Sequence, residues 1–233
     1  MLLLTRPMEE SLRMAKKLEA LERPFFIEPM LSVVFMPLHS LDNISTLIVT
    51  SQNGLRAIKI PPNTSINIYC VGTSTGLLAK TLGFRHVFVA KNSVHALIAL
   101  LTQKSPKELG NILYAAGETM TQDLEKTLKH LGYQIMTATV YKMLPATGFS
   151  STLLNLFKEE KIQQVCFFSS NTAEVFMRLM EQHKLTPSYQ MMESLSFSKK
   201  ISSILKNSPW MKIRTAKSPS MNSFWNLLEN RVD

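Results

Sequence analysis

Apolar positions along the chain fall into short β-branched or leucine-rich runs separated by stretches of helical spacing. Leu2 to Thr5 is one such run, broken by Arg6-Pro7. Met8 to Leu21 then places Leu12, Ala15, Leu18 and Leu21 on one helical face. Phe25-Phe26-Ile27 reads as a second strand ended by Pro29, and Ser32 to Phe35 as an extended connecting segment before Pro37. A regular alternation follows. Strands are expected at Leu47–Thr50, Asn67–Val71, His86–Ala90, Ile112–Ala115 and Gln134–Val140. Helices are expected at Gln52–Ile58, Thr75–Leu82, Ser93–Leu101 (capped by Asn92 or Ser93) and Thr121–Leu131. After Pro145-Ala146-Thr147-Gly148 the pattern resumes with helices at Ser151–Glu160, Ala173–His183 and Lys199–Leu205, and with Pro219 opening a last helix over Ser220–Asn230. The strands between them are Gln164–Phe168, Met191–Ser196 and Lys212–Ala216.

Repeated β-α-β units of this length predict parallel sheets flanked by helices on both faces, with right-handed crossovers. About ten strands fit two sheets of about five better than one sheet of ten. The first block is too short to stand alone, so it is expected to join the last. That assigns residues 1–34 plus 148–233 to one discontinuous domain and 41–138 to a second. The extended, Pro-bounded stretches 32–40 and 137–147 are the expected linkers.

In open α/β sheets, ligands bind outside the carboxyl ends of the strands. Those ends carry Thr5-Arg6, Thr50-Ser51-Gln52-Asn53-Gly54, Gly72-Thr73-Ser74-Thr75, Ala116-Gly117-Glu118-Thr119, Ser169-Ser170-Asn171-Thr172 and Ser196-Phe197-Ser198-Lys199. Each offers hydroxyls or backbone N–H groups near a helix start, which suit carboxylate or phosphate. A single Ser or Thr there is more often only a helix cap; the excess in both halves is what points to a ligand. If the two domains face one another, the ligand is large and has several anionic arms.

Charge agrees. With 26 basic and 17 acidic residues the chain carries +9 at neutral pH and favours anionic partners. The charges are dispersed and no basic stripe is interleaved with aromatics, which disfavours nucleic acid. Leu2-Leu3-Leu4 is too short for a signal peptide or membrane span. Cys70 and Cys166, the only cysteines, sit in apolar runs and read as buried thiols of a cytoplasmic protein. The five histidines (His39, His86, His95, His130, His183) have no metal-ligand spacing, and the 14 methionines read as core filling. The dinucleotide, P-loop and hydrolase-elbow fingerprints are missing. A non-catalytic cytoplasmic binder of a small polyanion stays open beside an enzyme.

The motifs together resemble the uroporphyrinogen-III synthase family. Leu3-Leu4-Thr5-Arg6-Pro7 is similar to its amino-terminal TRP signature, and Leu47 to Gly54 to its TSxN strand-turn. Tyr69 to Thr75 resembles its VGxxTA segment, and Tyr114-Ala115-Ala116-Gly117-Glu118 its glycine turn. Val140-Tyr141 falls at its vY position and Phe168 to Ala173 at its second-half FxSxxTA. The resemblance implies a two-domain flavodoxin-like α/β fold joined by a two-stranded connector. The implied reaction takes the linear tetrapyrrole hydroxymethylbilane, which has eight carboxylates, and closes it to uroporphyrinogen III with inversion of the last ring and loss of water. It implies no cofactor or metal, no membrane and no nucleic-acid partner; a monomer is expected. Carried onto this chain, Tyr141 is the candidate proton donor. Arg6, Ser51, Asn53, Gly72, Thr73, Thr75, Gly117, Glu118, Ser169, Ser170, Thr172 and Ser198 are the candidate substrate-binding residues.

Overall fold

A computed structural model describes residues 1–38, 40–59, 65–91, 93–119 and 123–229. The chain divides into two compact units, Met1–Ser32 with Leu144–Asp233, and Val33–Met143.

The first unit starts with β1 (Leu2–Leu4), α1 (Met8–Ala20) and β2 (Phe25–Ile27). All three leucines of β1 are buried, as expected of a central strand covered on both faces. Each contributes about 1.5–3 kcal/mol of hydrophobic stabilisation. Next comes β3 (Leu31–Phe35), which occupies the stretch expected to be a mere connecting segment.

The second unit continues with β4 (Thr46–Val49), α2 (Gln52–Ala57), β5 (Asn67–Val71), α3 (Thr73–Thr81) and β6 (His86–Ala90). Then follow α4 (Val94–Leu101), α5 (Pro106–Leu109), β7 (Ile112–Gly117), α6 (Leu124–His130) and β8 (Ile135–Pro145). Its sheet runs β3-β8-β7-β4-β5-β6. The pairs β8-β7, β7-β4, β4-β5 and β5-β6 are parallel. The β3-β8 pair is antiparallel: Met36 N donates to Val140 O, and Ala146 N to Met30 O. The sheet is therefore mixed and six-stranded, where about five parallel strands were expected. The eleven-residue β8 supplies the reason, because its long outer edge is available to residues 31–35, and one antiparallel edge strand on a parallel sheet is common. Both boundaries between the units fall inside this pair, which is the two-stranded connector.

Helix starts follow side-chain capping. Ser93 caps α4, and Asn92 lies outside the described residues. Asp123 caps α6, so the described helix starts later than expected, while Thr121 and Gln122 lie outside the described residues. The short α5 escaped the hydrophobic pattern, yet Ser105 and Glu108 form a reciprocal capping box with Pro106 in the first turn.

The first unit resumes with α7 (Ser151–Lys158), β9 (Gln164–Phe167), α8 (Ser170–Gln182), β10 (Glu193–Ser196), α9 (Lys199–Leu205), β11 (Lys212–Thr215) and α10 (Met221–Leu228). Its sheet runs β11-β10-β9-β1-β2, parallel throughout. A 3₁₀ turn over Thr186–Met191 takes the first residue of the strand expected from Met191. Pro219 lies outside α10, because Ser220 accepts from Ser223 N and so is the cap; Asn230 is outside the described residues. The described strands number eleven against about ten expected, and β3 is the addition.

Packing is two-sided around each central strand. Leu47, Val49, Leu55, Cys70 and Ala79 fill one face of the second unit's sheet, and Ile48, Tyr69, Tyr114, Leu97 and Leu128 the other.

Candidate active site

In the second unit, along the spatial order β8, β7, β4, β5, stand Tyr141 (within the long β8, opposite the end of β7) and, at the strand ends, Gly117, Thr50-Ser51 and Gly72-Thr73. Ser51 has extended backbone and caps α2; its Oγ accepts a hydrogen bond from Gly54 N at 3.2 Å. The same hydroxyl donates to the Tyr141 phenol oxygen at 3.0 Å. Ninety positions separate the two residues in sequence. Gly117, the last residue of β7, pairs with Tyr141 across a register shift after Ala116. A Cβ on Gly117 would lie 2.6 Å from Tyr141 Cζ and 2.8 Å from its hydroxyl oxygen, so only glycine leaves room for the ring. Glu118 N donates to Tyr141 O at 2.9 Å, which fixes the tyrosine backbone from the same turn. The Glu118 side chain is exposed.

A second tyrosine stands beside this group. Tyr114 is buried, and its hydroxyl lies 3.1 Å from Thr50 Oγ1. Burial pushes its pKa above the ordinary value, and the Thr50 hydrogen bond works against that shift. Tyr114 was visible in the sequence as part of a motif, but nothing in its spacing tied it to Thr50.

The other candidates of this unit take different positions. Asn53 Oδ1 accepts from Arg56 one turn on, within α2. Gly72 caps α3 with φ of +81°, a left-handed conformation suited to glycine. Thr73 is the exposed first residue of α3, whereas Thr75 is buried in it.

In the first unit the strand ends lie in the order β11, β10, β9, β1. Ser169 caps α8, accepting from Thr172 N at 3.1 Å, with Thr172 Oγ1 2.7 Å from its own oxygen. Thr172 is buried and Ser169 exposed, so the hydroxyl of the pair that faces outward is that of Ser169. Ser170 is the first helical residue after it. Ser198 precedes α9 without a side-chain capping bond, and its carbonyl accepts from Ser202 Oγ. Arg6 follows β1 and lies over the ring of Phe168, its guanidinium carbon 4.5 Å from the centroid. Burial lowers its pKa, and neighbouring Glu10 opposes that shift. Phe168 and Phe197 stand at the ends of β9 and β10; the sequence reading gave neither a part in the site.

The structure thus gathers Ser51, Gly117 and Tyr141 into one hydrogen-bonded group, and Ser169 with Thr172 into another. Among the described residues no group of three or more His, Cys, Asp or Glu side chains is arranged to hold a metal ion. No described helix is long and apolar enough to cross a membrane.

A search of curated proteins finds no match. Among solved structures, a uroporphyrinogen-III synthetase from Helicobacter pylori is 20% identical, with TM-score 0.62 over 89% of this chain and 93% of that one. A mutant uroporphyrinogen III synthase from the extremely thermophilic bacterium Thermus thermophilus is 14% identical, with TM-score 0.53 over 99% of this chain and 98% of that one. At such identities these likenesses speak for the fold. The family model described as uroporphyrinogen-III synthase HemD matches residues 13–226. That match spans nearly the whole chain, and the chain belongs to the uroporphyrinogen-III synthase family.

Proposed function

We propose that Tyr141 is the proton donor in the family's reaction, the closure of hydroxymethylbilane to uroporphyrinogen III with loss of water. The observation that carries this is the direction of the Ser51–Tyr141 bond. Gly54 N–H donates to Ser51 Oγ, and Ser51 spends its one hydrogen on the tyrosine oxygen. The phenol hydrogen is therefore not used in that bond and can go to the departing hydroxyl of the substrate. Water leaves, and the terminal ring becomes an azafulvenium cation. The negative charge left on the tyrosine oxygen is met by the Ser51 hydroxyl, itself backed by the first turn of α2. Closure of the ring frees a proton, which restores the phenol.

The strand ends of each unit supply hydroxyls and amides for acetate and propionate arms: Ser51, Asn53, Gly72, Thr73, Thr75, Gly117 and Glu118 in one, and Arg6, Ser169, Ser170, Thr172 and Ser198 in the other. Residues 1–34 with 148–233 and residues 41–138 are read as the two domains that carry these edges. The same reading makes the protein a cytoplasmic monomer with no nucleic-acid partner; a net charge of +9 serves its polyanionic substrate.

The test is Tyr141→Phe, assayed with hydroxymethylbilane and with the type I and type III products resolved. Loss of a general acid lowers kcat for the type III product by about 100-fold or more, with an unchanged melting temperature. Turnover within about twofold of the unmodified chain, against a general-acid contribution of that size, would remove Tyr141 from the proton path.

A further inference from the structure

Leu4, Cys166 and Leu195 form one rung across β1, β9 and β10 of the first unit's sheet. Two residues further along each strand, on the same face, stand Arg6, Phe168 and Phe197. Phe168 packs on Phe224 at 4.4 Å and on Phe197 at 5.4 Å between centroids. Phe224 is fully buried, so this aromatic platform is anchored in the core. The Arg6 guanidinium lies on its outer side.

A guanidinium carries five N–H donors in a rigid fork. The hydrogen-bond partner of this fork is the thioether of Met221, whose Sδ is 3.9 Å from Nη1, and sulfur is a weak acceptor. Among the described residues no carboxylate stands within ion-pair distance of Arg6. A half-buried cation left in this state is costly unless an anion completes it. Stacking on an aromatic ring contributes about 0.5–2 kcal/mol, which fixes the plane of the fork without consuming its donors. Such a fork matches a carboxylate at two points.

We infer that Arg6 is a bidentate carboxylate site for one acetate or propionate arm of the tetrapyrrole, with Phe168 as the positioning residue that holds its plane. The carboxylate takes the donor now resting on Met221. This rests on the family's reaction and on the place of Arg6 among the proposed binding residues; it adds the two-point mode of contact and the part played by Phe168.

The experiment uses the whole chain and titrates it anaerobically with uroporphyrinogen III. Arg6→Gln weakens binding by about tenfold or more, the worth of a charge-assisted bidentate contact, and flattens the dependence of affinity on salt. KM for hydroxymethylbilane rises in step while kcat stays within about twofold, the pattern of lost uniform binding. Arg6→Lys keeps the charge without the fork and restores only a minor part of the loss. Phe168→Leu raises KM, and Phe168→Tyr, which keeps a ring under the guanidinium, returns it to the original value. A melting temperature lowered by Phe168→Leu with KM unmoved would reduce the phenylalanine to packing and overturn its positioning role. Unchanged product affinity in a folded Arg6→Gln overturns the carboxylate site; should that variant not fold, the Phe168 pair decides. Neither result touches the family reaction, which fails separately if the unmodified chain gives no type III product above the spontaneous background.

Discussion

Ser51 and Ser169 do the same local work and are left with different chemistry. Each follows a strand at the centre of its sheet, has extended backbone, and accepts a hydrogen bond from the amide three residues on. At that third position the first unit has Thr172, whose hydroxyl shares a hydrogen bond with that of Ser169 at 2.7 Å, either oxygen serving as donor. The second unit has Gly54 there, with no side chain to compete, and the Ser51 hydrogen reaches Tyr141 instead. A cap is set by its own few residues. Which side chain that hydroxyl meets depends on the residue it caps.

This contrast is open to attack at four points. The largest effect is expected from Gly117→Ala, because its methyl would occupy the place of the Tyr141 ring. The ring end can swing aside, so the fold survives, but the bond to Ser51 is lost. Type III formation falls by about 100-fold, the usual penalty for a reacting group misplaced by about 1 Å. Full activity in this variant would show that the glycine does not hold the tyrosine in place. Next is Ser51→Ala, expected to cost about tenfold in kcat through loss of one hydrogen bond to the developing charge.

Ser169→Ala is the matched control. It should leave kcat within about twofold while both serine variants lose about 1 kcal/mol of stability as caps, read from urea unfolding. Equal kinetic losses at the two serines would erase the distinction drawn between them.

The smallest effect compares the two cores through their thiols. Burial pushes Cys70 in β5 up to about 12 and raises Cys166 in β9 further. Both are fully buried. A thiol whose pKa is raised in the folded state favours folding while it keeps its proton. Its contribution is whole below the unfolded value near 9 and fades as pH climbs from there toward 12. The melting temperature should therefore fall through that window, and neither cysteine should react with a disulfide reagent in the folded protein at pH 8. Rapid labelling of one cysteine alone would identify the unit that opens first.

The alternation of short apolar runs with helical stretches was enough to read the parallel strands of both sheets, since runs such as Leu2–Leu4 and Leu47–Val49 are apolar because both their faces are covered. The edge strand β3 was harder. Its pattern, Leu31-Ser32-Val33-Val34-Phe35, has only one residue buried, and its partner lies more than a hundred positions away. Candidate site residues divide in the same way. The capping roles of Ser51 and Ser169 follow from neighbours three positions on and could be read locally. The Ser51–Tyr141 bond, the Gly117 floor under the ring and the Thr50–Tyr114 contact depend on which strands lie side by side. The Arg6–Phe168–Phe197 row has the same origin: each residue follows its own strand, and only the sheet order makes them neighbours.

That sheet order also sets a timetable for synthesis. The second unit is one continuous stretch, Val33–Met143, and can close once that stretch has left the ribosome. In the first unit β1 pairs with β2 on one side and β9 on the other. Its apolar Leu2-Leu3-Leu4 is made before the whole second unit, yet its second neighbour begins at Gln164. At about 5–20 residues per second, the strand waits roughly ten to thirty seconds for that neighbour. The nascent chain thus holds a continuous second unit behind a hydrophobic strand with one edge still open.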